Sequence, residues 1–186
     1  SVDTHARTKD PQCVDLICDR ECYADICEAA KRSGNAFVIG YVKLLIDTIN
    51  LKTFVRARKM GQPWSFFGTV FISGGDISEK VFVSGYEEPV AQFAARLEGT
   101  ALKKAAEEGL ASMKETGSFT DIERLCDDAL MDYVKDAKYI SFGIEPLIAY
   151  MAAKQAEIRC VRIVLAGKAA GLAPNLIRER LRETYG

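Results

Sequence analysis

Residues 41–59 read YVKLLIDTINLKTFVRARK, and residues 150–168, at an offset of 109, read YMAAKQAEIRCVRIVLAGK. The two stretches pair Tyr41 with Tyr150, Ile49 with Ile158, Val55 with Val164, Ala57 with Ala166 and Lys59 with Lys168, five matches in nineteen positions. Composition alone would give about one. Both stretches are long, mostly apolar and free of proline, both follow a break that carries a glycine, and both are left at a glycine, Gly61 or Gly171. In the first, Phe37, Val38, Tyr41, Val42, Leu45 and Ile49 recur at three-and-four spacing with further apolar positions between them, which predicts a helix buried on most sides. The pair implies two helical units of about 110 residues, each built round one long core helix.

Working outward, the segment from Pro11 to Arg32 has no internal glycine or proline and opens on Asp10-Pro11, a helix start. Ser33-Gly34-Asn35 breaks it. The long helix that follows runs to about Arg58, where Gly61 and Pro63 stop it. Trp64 to Tyr86 admits two readings. Thr69 to Ile72 and Val81 to Val83, separated by Gly74-Gly75-Asp76, fit a β-hairpin; equally, Gly74 and Gly75 end one short helix and Ser78 caps the next. Pro89 and Val90 open a further helical stretch that passes Gly99 into the Ala-, Lys- and Glu-rich run from Ala101 to Met113 and stops at Gly117. Thr120 and Glu123 have the spacing of a capping box. Two helices complete the chain, from about Glu145 to Ala170 and from Pro174 towards Tyr185. The predicted fold class is all-α, with pseudo-repeated helical units over residues 1–90 and 91–186.

The 186 residues are 48% hydrophobic and 27% charged, enough to bury a core. A balance of 25 basic against 26 acidic side chains removes the simplest argument for a nucleic-acid partner. No uncharged apolar run is long enough to span a bilayer, and Ser1 to His5 hold no signal-like apolar segment. Charge is blocked: residues 31–60 carry seven basic and one acidic side chain, residues 76–132 six and thirteen, residues 154–186 seven and three. Such blocks suit oriented docking, although solvated helix faces are the ordinary explanation of any one block.

Catalytic motifs fail on inspection. Cys18 and Cys22 stand one helical turn apart and could share a metal, but no second pair completes a zinc set, and reduced cysteines acting as small hydrophobes are the better reading. The lone His5 excludes a zinc or di-iron motif that needs paired histidines within this chain. Gly167-Lys168 lacks the Ser/Thr and the earlier glycine of a phosphate-binding loop, and Glu107-Glu108 and Asp127-Asp128 point apart on their helices, so neither pair is an acid/base dyad. No catalytic residue, cofactor or metal is predicted. The clusters Arg56-Arg58-Lys59 and Arg178-Arg180-Arg182 either touch phosphates or serve as helix-end charges and ion-pair partners, the second being favoured.

The run Glu157-Ile158-Arg159, Arg162-Ile163, Gly167-Lys168, Gly171-Leu172, Ile177 to Arg182 and Tyr185 resembles the end of the C subunit of V-type and A-type ATP synthases, the prokaryotic counterpart of the eukaryotic V-ATPase d subunit. Gly143, Glu145-Pro146-Leu147, Tyr150, Asp10-Pro11, Asp19-Arg20, Tyr23, Asp47, Asn50 and Arg56-Ala57-Arg58 extend the resemblance over most of the chain. It implies a funnel of three similar helical units, of which this sequence would hold the middle and C-terminal ones, a fragment or truncation. It also implies a non-catalytic central-stalk adapter between the rotating shaft subunits and the membrane proteolipid ring, coupling ATP synthesis or hydrolysis to H+ or Na+ transport. Such a protein is cytoplasmic, peripheral at the inner face of the membrane. On that expectation Arg56, Arg58, Arg178 and Arg180 are candidate partner contacts. The competing class is a helical protein- or nucleic-acid-binding module with no enzymatic activity.

Overall fold

Gly34, at φ +64°, and Asn35 turn the chain between its first two long helices, α1 (Pro11–Ser33) and α2 (Ala36–Lys59). Asn35 caps α2: its Oδ1 accepts the Val38 N–H at 3.0 Å, satisfying one of the orphan donors at a helix start. The computed structural model describes residues 11–185, and every regular element among them is helical. It divides into two compact units, one ending at Glu88 and the other beginning at Pro89.

In the first unit α1 and α2 form a hairpin closed over Ala30, Val42, Ile46 and Ile72, with Tyr23, Ile26 and Val38 packed against them. Residues 64–86 take the helical alternative, as α3 (Trp64–Val70) and α4 (Glu79–Ser84). The strand-like residues Phe71 and Ile72 are buried as loop, and Gly74, at φ +115°, makes the turn. Phe54 sits between the rings of Phe67, Phe82 and Tyr86, with centroids 5.4 to 5.5 Å away, so an aromatic knot locks both short helices to the last turns of α2.

The second unit departs from its sequence reading in three places. The stretch from Val90 to Met113 is not one helix: α5 (Val90–Arg96) ends in turns, and a π-helical turn (Ala105–Gly109) leads into α6 (Leu110–Thr116). At Gly109 an added Cβ would stand 2.7 Å from Ile122 Cα of α7 (Thr120–Lys135), so the glycine lets two main chains touch. The capping box does not form. Thr120 is already helical, and its N–H donates to Ser118 Oγ at 3.2 Å. After a 3-10 turn (Asp136–Tyr139) come α8 (Glu145–Ala169) and α9 (Pro174–Glu179), and residues 181–185 are not helical.

The two long helices end in the same way. Gly61 at φ +65° receives closure from Gly61 N–H to Arg58 O and Gln62 N–H to Ala57 O, 3.0 Å each. Gly171 at φ +68° repeats the pattern, with Gly171 N–H to Lys168 O at 3.1 Å and Leu172 N–H to Gly167 O at 2.9 Å. This Schellman-type cap satisfies the last carbonyls, and a short helix opened at or just after a proline follows each time.

Candidate interface residues

Arg56 and Arg58 occupy the last turn of α2, where basic side chains meet the negative end of the helix. Arg56 is exposed. Arg58 is half-buried: its Nη2 donates to the Glu88 carbonyl at 2.7 Å and its guanidinium lies 5.4 Å from the Phe54 ring centre. Its position follows from the aromatic knot, since Phe54 is one helical turn earlier on the same face. Tyr86 closes the arrangement by donating from Oη to Gln62 O at 2.9 Å. Arg58 thus ties the 84–88 turn to α2, and Arg56 is the side chain of the pair left facing outward.

Two buried polar residues on α2, Asp47 and Asn50, hold the loop between α3 and α4. Asn50 clamps Ile72 from both sides, donating from Nδ2 to its carbonyl at 2.8 Å and accepting its N–H at 3.0 Å. Asp47 accepts the N–H groups of Asp76 and Ile77 at 3.0 and 3.1 Å. A Cβ at Gly75 would fall 2.0 Å from Asp47 Oδ1, so the loop approaches the carboxylate only because position 75 is bare. Burial raises the Asp47 carboxyl from the ordinary 3.8 to about 6, against the two backbone N–H bonds, which lower it. Because the folded value lies above the unfolded one, the folded state holds the extra proton across that interval. This group's contribution is therefore full below about pH 4 and is lost as pH rises to about 6. Asp47→Asn should flatten that part of the stability-against-pH curve relative to the parent. It should also cost about 1–2 kcal/mol at neutral pH, because an amide offers one acceptor to two donors. Urea midpoints of both proteins from pH 4 to pH 7 check this.

In the second unit Arg178 and Arg180 are exposed near the end of α9. Arg182, which the sequence groups with them, points elsewhere. Its Nε donates to Asp127 Oδ2 at 2.7 Å, both side chains being about one-tenth exposed, and Arg159 reaches the same oxygen at 2.6 Å. Asp128 accepts the Glu183 N–H at 2.8 Å and pairs with Arg124 at 3.3 Å, while Lys135 pairs with Glu183. Arg124 also reaches Asp121, whose carboxyl is held low first by the Ser112 hydroxyl and then by that guanidinium. These bonds hold Arg182 and Glu183 against α7 as non-helical chain, and α9 stops at Glu179 short of Tyr185. Asp127 and Asp128, excluded by their spacing as an acid/base dyad, instead clamp the chain at Arg182 and Glu183. The favoured ion-pair role of the basic cluster holds for Arg182.

Cys18 and Cys22 are exposed on α1, and no group of three or more His, Cys, Asp or Glu side chains among the described residues is placed to hold a metal ion. His5 lies outside the described residues. No helix among the described residues is long and apolar enough to cross a membrane.

Comparison with known proteins gives a consistent set of relatives. The chain is 25% identical over 174 residues to the C subunit of the V-type sodium ATPase of Enterococcus hirae, covering 94% of this chain and 52% of that protein. Against the A-type ATP synthase C subunit of Halobacterium salinarum it is 24% identical over 157 residues, covering 82% and 44%. Against that of Methanobrevibacter smithii it is 28% identical over 161 residues, covering 80% and 41%. The chain thus spans about half the length of the curated relatives it matches. No solved structure gives a significant match. The family model for the ATP synthase (C/AC39) subunit matches residues 1–180, and the chain belongs to that family.

Proposed function

We propose that this chain is part of a non-catalytic adapter in the central stalk of a rotary ATPase. In this reading it links shaft subunits to a membrane proteolipid ring at the inner face of the membrane and couples ATP synthesis or hydrolysis to H+ or Na+ transport. The observation that carries the reading is the family match over residues 1–180. The architecture supports it: a lever needs stiff elements, and both units are built on long helices tied to their neighbours, by the Phe54 knot in one and the Arg159–Asp127 pair in the other. The matching caps at Gly61 and Gly171, one residue out of step with the offset of 109, support taking each unit as one repeat of the family. On this reading the two units correspond to the middle and C-terminal repeats of a three-repeat family member.

Arg56, Arg58, Arg178 and Arg180 are the candidate partner contacts on this reading, Arg58 being the one already engaged with the Glu88 carbonyl. The Arg56→Glu, Arg178→Glu, Arg180→Glu triple variant, made in the natural-length protein, should keep its thermal midpoint and lose about tenfold in affinity for the shaft or ring at low salt. Native mass spectrometry with the purified shaft subunits and ring measures this. Unchanged assembly of the variant removes these arginines from the interface. Failure of the unsubstituted protein to associate with either partner removes the adapter reading.

A further inference from the structure

Helix α8 is packed with its small side chains inward. Ala149, Ala153 and Gly167 are its buried residues, and at Gly167 an added Cβ would lie 2.7 Å from Ile177 of α9. The large apolar residues face the other way: Leu147, Met151, Ile158, Val161 and Leu165 are each 52% to 62% exposed. The sequence predicts a core helix here because apolar residues occur all round it, and the expected core position Tyr150 is 60% exposed as well. Positions 147, 151, 154, 158, 161 and 165 alternate four and three apart, with Lys154 the one polar member. That is the period of a coiled-coil seam, running about 27 Å along the helix. A stripe in this register is matched by another helix, whose side chains fill the holes between successive seam residues.

The charges beside the stripe select the partner. Lys154 is paired with Glu157 at 2.8 Å, and Arg159 is engaged by Asp127. Arg162 and Lys168 are exposed and join no ion pair among the described residues. The uncompensated charge along the seam is therefore positive. A second copy would bring the same charges against it, whereas glutamates or aspartates beside a partner seam would complement them. We propose that the outward face of α8 docks an amphipathic helix of a partner protein, with large apolar residues at heptad spacing flanked by acidic ones. The adapter reading supplies only the biological setting of this face; the chemistry stands on the second unit alone.

The probes are two synthetic helical peptides of the length of α8, both with Ile and Leu at the seam positions, one flanked by Glu and the other by Lys. Fluorescence anisotropy should show the Glu-flanked peptide binding the chain at least about tenfold more tightly than the Lys-flanked one at low salt, with the difference narrowing as salt rises. Ile158→Glu should abolish binding, and Arg162→Glu with Lys168→Glu should reverse the preference. All three positions are exposed, and unchanged thermal midpoints verify that the variants fold. Equal affinity for both peptides, or binding of neither, overturns the proposal. So does concentration-dependent self-association blocked by Ile158→Glu, which would assign the face to a second copy. Loss of peptide binding with shaft assembly intact would refute this face alone, while peptide binding with no assembly would refute the adapter.

Discussion

Phe54→Ala is expected to lower the stability of the first unit by about 4 kcal/mol, the largest effect of any single truncation considered for that unit. Phe54 is 1% exposed and is the common neighbour of Phe67, Phe82 and Tyr86, so its removal empties the centre of the knot. The surrounding rings are carried by α3, α4 and the turn after it, each pinned separately to α2 by Asn50, Asp47 and Arg58. They cannot all move inward, and a cavity that cannot collapse carries its full cost. The urea midpoint, with near-ultraviolet circular dichroism as a reporter of ring packing, checks this. A loss below about 1 kcal/mol would mean that the short helices re-dock freely, and the stiffness attributed to this unit would be wrong.

Asp127→Ala is the second large effect, about 3 kcal/mol, because it strips the carboxylate from a nearly buried pair and leaves the Arg182 guanidinium with no close counter-charge, only the Arg180 carbonyl at 2.6 Å and a weak contact to Glu123 at 4.0 Å. The cost should appear with a local signature. Hydrogen exchange at the Glu183 amide, held by Asp128, should rise towards the exchange of free chain while the amides of α7 change less. Arg182→Ala should cost less, since Arg159 remains to pair with Asp127.

These sites explain what the sequence could and could not disclose. The long helices and their stops were legible because their determinants are local: the Asn35 cap, the glycines at positive φ and the prolines beyond them. Residues 64–86 stayed open between hairpin and helices because the groups that decide them, Asp47 and Asn50, lie more than twenty residues upstream and act through backbone bonds without a periodic signature. The final helix was read too long for the same reason, its tail being claimed by α7 through partners 55 residues away. Arg58 was legible as a helix-end charge but not as the anchor of a turn. The outward seam of α8 was hidden by composition: a helix apolar on all sides reads as buried, and only packing reveals that its alanines, not its leucines, face the core.

The π-helical turn that ends at Gly109 has a mechanical corollary. A wide turn holds one residue more than an α-turn needs, and here the surplus swings a bare Cα against the backbone of Ile122. Most helix pairs rest on methylenes that yield when pressed, whereas this joint is bone against bone. A load entering along α7 passes to α6 at that point without being cushioned.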